Sequence, residues 1–156
     1  MKTICKQIGM ILLASGFLAL MANTVHPHRI PWVQDWSSHL EGRAKEENIS
    51  VLPFSGALDR HAVGESIFID ARSEEEFGKG HIPSATSIPL ELLEDRFDTI
   101  VALLESGKEL VVYCSSRTCD DALLLAKELK AMGAENLMLY IDGFDFWKEH
   151  GGEVEP

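Results

Sequence analysis

Basic residues are in short supply in this chain: 14 Lys and Arg stand against 25 Asp and Glu, for a formal net charge of −11. No cluster of cations exists to neutralise phosphates, which excludes nucleic acid as a partner and leaves no basic face for anionic lipid. The acidity is read as solubility. Cysteine is scarce as well, with three in 156 residues, and no zinc-type set of Cys and His is spaced along the chain. His26 and His28 lack acidic company, and Glu74, Glu75 and Glu76 read as a solvated helix start, so no metal site is expected. A glycine-rich nucleotide loop, a Ser–His–Asp order, internal repeats and low-complexity segments are all missing. What is present is ordinary for a folded protein: 46% hydrophobic and 25% charged residues, enough for one domain plus an appendage.

The appendage is at the N-terminus. Lys2 and Lys6 precede residues 8–25, IGMILLASGFLALMANTV, which are almost wholly apolar. Eighteen residues as a helix span about 27 Å, at the short end of what crosses a bilayer. The basic-then-apolar order also describes a signal peptide. Cleavage grammar is poor, because Leu20 is a bad partner two residues before a cut at Ala22. Trp32 and Trp36 follow where interfacial aromatics often sit. Residues 1–25 are therefore expected to be an uncleaved membrane anchor, with a cleaved signal and a soluble exported product as the alternative. Lysines ahead of the span keep the N-terminus cytoplasmic and send the remainder to the extracytoplasmic, periplasmic side. Beyond residue 22 the charge is −13, since the removed segment holds two lysines and no acid. Cys5 stays inside or in the membrane, which leaves Cys114 and Cys119 to meet oxidising conditions.

Pro27 and Pro31 make residues 25–33 a connector. Trp36, Leu40 and Ala44 share a helical face, giving a short amphipathic helix to about Asn48, so residues 26–48 form a juxtamembrane segment and 49–156 the main domain. Strands are predicted at 49–51, 67–69, 110–113 and 137–140 and helices at 91–104, 120–132 and 143–150. A capping box, Ser73 with Glu76, opens a one-turn helix that stops at Gly78. Short apolar strands between helices imply a parallel sheet covered on both faces, with a site at the strands' carboxyl ends.

Residues 110–122, LVVYCSSRTCDDA, carry the most chemistry. A thiol ending a buried strand, ringed by loop amides and facing a helix N-terminus, is placed to ionise, and the thiolate is the reactive form. Cys114 is the candidate nucleophile.

Three stretches together resemble the rhodanese-like domains: FIDARSEEEFGKGHIPSATSIP at 68–89, VVYCSSRTC at 111–119 and DGFDFWKEHGGEVE at 142–155. Their order and spacing carry the resemblance, which covers roughly residues 49–155. It implies an α/β domain with a central parallel sheet of about five strands flanked by helices. It also implies a sulfurtransferase that takes a sulfane sulfur from a donor such as thiosulfate or polysulfide, holds it as a Cys114 persulfide, and passes it to a thiol acceptor or acceptor protein. No cofactor is implied. Loop amides from Ser115 to Cys119 serve as an anion nest. Arg117 guides an anionic donor, and the Ser115, Ser116 and Thr118 hydroxyls add hydrogen-bond donors.

Loop length bears on a rival chemistry. Related phosphatases carry Cys-x5-Arg, whereas the sixth residue after Cys114 is Asp120, which repels phosphate. Three departures from the family pattern stand out: Asp142 replaces the first of two glycines, Ser84 replaces another, and the Cys114 loop has no glycine. Asp70 and Arg72 are expected as a buried ion pair bracing the active loop, His81 as a loop-fixing residue, and Trp147 as a core plug. Cys119 reads either as a packing residue or as a redox partner of Cys114. A non-catalytic sulfur-carrier or docking module and a Cys114–Cys119 thiol–disulfide protein are the alternatives to a sulfurtransferase.

Overall fold

A computed structural model describes residues 2–25 and 36–156. His26, His28, Pro27, Pro31 and Trp32 lie outside the described residues. The chain divides into two units, the first holding the N-terminal helix and the second everything from Trp36 onward.

In the first unit, helix α1 (Lys2–Val25) contains a span at Lys6–Val25 that is long and apolar enough to cross a membrane. Its large side chains, Ile8, Ile11, Leu13, Phe17 and Leu18 among them, are exposed.

In the second unit, strands β1 (Ser50–Leu52), β2 (Ser66–Asp70), β3 (Thr86–Ser87), β4 (Glu109–Tyr113) and β5 (Leu137–Tyr140) form one parallel sheet in the order β1-β5-β4-β2-β3. The central strands are apolar in consecutive positions because both faces are covered. Val112 and Leu110 point to one side, where Ile69, Leu139, Ile100, Leu123, Leu125 and Leu129 pack. Val111 and Tyr113 point to the other, onto Phe68, Ile82, Tyr140, Phe144 and Trp147. This is the period-two alternation of a strand read out on two cores.

Six helices cover the sheet: α2 (Trp36–Glu46), α3 (Phe54–Val63), α4 (Glu74–Phe77), α5 (Phe97–Glu105), α6 (Asp121–Ala131) and α7 (Gly143–Glu149). The capping box forms as expected: Ser73 Oγ accepts from Glu76 N at 3.3 Å and donates to Glu76 Oε2 at 2.9 Å. Such a cap is worth about 1 kcal/mol. The long helix expected over 91–104 is instead a 3-10 turn, Leu90–Leu92, a loop, and then α5. Leu92 and Leu93 carry helical spacing but serve the turn. Helix α3 and strand β3 were not foreseen. Pro53 before α3 and Gly64 after it (φ 74°) are the start and stop signals that mark the helix, but only Ala57 within it is buried, so its apolar stripe is faint. Helix α2 is part of the fold, because Leu40 and Ala44 are buried in the first core.

Candidate functional site

Cys114 follows β4 directly, 3% exposed, at the carboxyl edge of the sheet. In register beside it, Asp70 ends β2 opposite Tyr113, and Tyr113 pairs with Tyr140 of β5. The loop that follows turns tightly: Cys119 N donates to Ser116 O at 3.1 Å, and the Ser116 and Thr118 hydroxyls are 3.0 Å apart. Ser115 Oγ lies 3.8 Å from Cys114 Sγ. Among the described residues, no backbone carbonyl accepts from the amides of Ser115, Ser116 or Arg117.

Helix α7 holds this loop from behind. Phe144 N donates to Cys114 O at 2.8 Å and Asp145 N to Ser115 O at 2.9 Å. Two amides that a helix start leaves without partners are thereby satisfied. The approach requires Gly143. Its φ is 78°, and a Cβ there would come within 2.6 Å of Ser115 O and 2.7 Å of Ser116 N.

Asp142, singled out above only as a departure, organises the other side. Its Oδ1 accepts from Arg117 Nε and Nη2, both at 2.7 Å, and its Oδ2 accepts from Phe54 N at the start of α3, at 2.8 Å. Arg117 Nη1 also donates to Glu41 of α2 at 2.8 Å. Burial opposes the charge on Arg117, but the hydrogen bonds to Asp142 and Glu41 outweigh it and hold its pKa above the ordinary value. The guanidinium therefore pairs with two carboxylates, on the side of a depression it lines with Glu41 and Lys45. A second contact from α2, Arg43 to Asp120 at 2.6 Å, pins the far end of the loop. No local pattern reveals these contacts from α2. The signal for Asp142 is a carboxylate standing where the family has glycine.

Asp70 and Arg72 form the expected buried pair: Arg72 Nη2 donates to Asp70 Oδ2 at 2.6 Å, with side-chain exposures of 5% and 0%. Arg72 also donates to Gly80 O at 2.9 Å and lies over the Phe144 ring, 4.0 Å from its centroid. Burial opposes its charge and Asp70 more than compensates, so its pKa is raised. The pair thus reaches the Cys114 loop through Phe144, and it anchors the 80–82 segment directly. His81 fixes that segment: its ring stacks on Phe77 at 3.7 Å, Nδ1 is 3.1 Å from Phe77 O, and its backbone bridges to Glu155. Ser84 takes a left-handed φ of 61°, the conformation that makes glycine common there. Trp147 is fully buried and donates to Glu153 O at 2.7 Å.

Cys114 and Cys119 are joined as a disulfide, with 6.2 Å between their Cα atoms. Cys114 is buried and Cys119 half-buried. Asp121 Oδ2 is 3.6 Å from Cys119 Sγ. Asp121 also lines a cleft of about 290 Å³ with Ser73, Glu76 and Glu91. The cleft's charged groups are all carboxylates.

Residues 55–150 match the rhodanese-like domain family. The chain is 32% identical over 112 residues to an adenylyltransferase and sulfurtransferase of Ogataea parapolymorpha, covering 72% of this chain and 25% of that protein. It is 36% identical over 74 residues to an HTH-type transcriptional regulator of Mycobacterium tuberculosis, covering 46% of this chain and 31% of the other. The chain thus spans a third or less of the length of these curated relatives. Among solved structures, it resembles a protein of unknown function and possible tyrosine phosphatase from Rhodopseudomonas palustris, with TM-score 0.62, 24% identity, and coverage of 81% of this chain and 99% of that one. It also resembles a thiosulfate sulfurtransferase from Pseudomonas aeruginosa, with TM-score 0.61, 21% identity, and coverage of 77% and 22%. At these identities the likeness is one of fold. The family match covers most of the second unit, including the Cys114 loop and the helix that supports it, and this chain belongs to the rhodanese-like domain family.

Proposed function

We propose that this protein is a sulfurtransferase whose Cys114 carries sulfane sulfur as a persulfide. The observation that carries the reading is the placement of Cys114: a buried sulfur at the carboxyl end of the central strand, followed by three loop amides that no backbone carbonyl engages among the described residues. Such amides stabilise a thiolate and a persulfide anion alike. With the disulfide reduced, the Cys114 thiolate attacks the sulfane sulfur of a donor such as thiosulfate or polysulfide. The donor's S–S bond breaks, and sulfite or the shortened polysulfide leaves. An acceptor thiolate, free or on a protein, then attacks the outer sulfur and Cys114 departs as thiolate. Two displacements through one covalent intermediate give ping-pong kinetics.

Ser115 is the hydroxyl assigned to the sulfur, with Ser116, Thr118 and the Cys119 amide shaping the loop. Arg117, held by Asp142 and Glu41, serves as a positioning residue more than as a free cation for the donor. Asp70, Arg72 and His81 are supporting residues. Phosphoryl chemistry is disfavoured because Asp120 stands where a phosphatase loop places its arginine. The α1 span is read as a membrane anchor with the domain on the extracytoplasmic side, and signal cleavage is the alternative.

The test is intact mass of the reduced protein after thiosulfate or polysulfide. A gain of about 32 Da on Cys114 is expected, absent in Cys114→Ser. No adduct with any donor would sink the reading.

A further inference from the structure

The Cys114 loop holds a second sulfur for which simple transfer has no use. Cys119 reaches Cys114 closely enough to bond with it, because the turn closed by Cys119 N on Ser116 O folds the end of the loop back over its start. The two sulfurs and a carboxylate oxygen of Asp121 lie within 4.8 Å of one another. A thiol at Cys119 is therefore within reach both of Cys114 Sγ and of an oxygen able to take its proton. Their exposures differ: Cys114 is 3% exposed and Cys119 is half-buried.

We propose that Cys119 is a resolving thiol that discharges the Cys114 persulfide as hydrosulfide. The inference rests on the persulfide reading of Cys114 given above. Cys119 passes its proton to Asp121 and attacks Cys114 Sγ. The Cys119–Cys114 S–S bond forms as the bond from Cys114 Sγ to the outer sulfur breaks, and that sulfur leaves with the electron pair and takes up the proton held by Asp121. The outer sulfur is reduced to hydrosulfide and the two cysteines are oxidised to the disulfide, so the step needs no outside oxidant. The disulfide is then reopened by an external dithiol. The half-buried Cys119 sulfur is the accessible point of attack, and Cys114, stabilised by the loop amides, is the leaving thiolate. One loop then supports two outcomes for the same persulfide: transfer to an acceptor thiol, or release as hydrosulfide at the cost of two thiols.

The experiment uses the full chain in detergent, reduced, freed of reductant and held without oxygen. One equivalent of polysulfide is added and the mass and released hydrosulfide are followed together. The wild type is expected to pass through the adduct of about 32 Da, release about one hydrosulfide per chain, and end about 2 Da below the dithiol form. Cys119→Ser and Cys119→Ala are expected to load equally and to hold the adduct at least about tenfold longer. A wild-type adduct as long-lived as that of both variants, or hydrosulfide release from either variant at the wild-type rate, overturns the proposal. If neither wild type nor variants load at all, the carrier reading of Cys114 fails and this inference falls with it.

Discussion

At Gly143 a hydrogen atom stands where any other residue would put a carbon, and the Cys114 loop depends on it. The backbone of α7 comes so close to Ser115 and Ser116 that a methyl group has no room, and the φ of 78° adds a penalty for any side chain. Gly143→Ala is expected to lower stability by roughly 3 kcal/mol, summing left-handed strain and overpacking. It should also slow sulfur loading of Cys114. Denaturant midpoint and loading rate measured on the same preparation check this, and unchanged values in both would refute it. Asp142 acts at the same scale by different means. Its two oxygens serve two partners far apart in sequence, Arg117 and the amide of Phe54. The substitution that set this chain apart from the family's double glycine thus converts a flexible position into a bracket for the loop.

At the scale of elements, the sheet delivers its polar groups to one edge. Asp70, Tyr113 and Tyr140 end neighbouring strands in register. Burial raises the pKa of Tyr113, and the nearby Asp70 charge with its hydrogen bond raises it further. Tyr140 is raised first by burial and then by Asp142. Both phenols thus keep their protons in the folded chain at pH values where the unfolded chain gives them up. The unfolded state then binds fewer protons, and stability falls as pH rises. The contribution is intact below about pH 10 and is lost above it. Urea midpoints measured from pH 8 to 11 should stay level at first and drop above about pH 10, and the drop should be smaller in Tyr140→Phe. A flat profile through pH 11 would contradict this account. Helix α2 matters here too, since Glu41 and Arg43 grip the middle and the far end of the Cys114 loop, the first of these contacts spanning 76 residues of chain.

At the scale of the molecule, an acidic domain follows one apolar helix. The span at Lys6–Val25 is long enough to hold the protein in a bilayer. The full chain is expected to stay in the membrane fraction through an alkaline carbonate wash, whereas a chain lacking residues 1–25 should be soluble. A mature N-terminus beginning just after Ala22 would show the cleaved alternative to be correct.

The sequence by itself determined the parallel α/β architecture, the strand that ends on Cys114, the Ser73–Glu76 cap and the Asp70–Arg72 pair. These are written in local periodicity or in short spacing, where each residue's role depends on neighbours a few positions away. Helix α3 escaped because only Ala57 within it is buried, and the turn at Leu90–Leu92 because its leucines mimic helical spacing. The tertiary structure alone decided the surroundings of the loop. Arg117 reads in sequence as a free cation, yet it is engaged by Asp142 and Glu41, because charge pairing is set by distance in space. Cys119 reads in sequence as packing sooner than as partner, and only the fold of the turn decides that its sulfur meets Cys114.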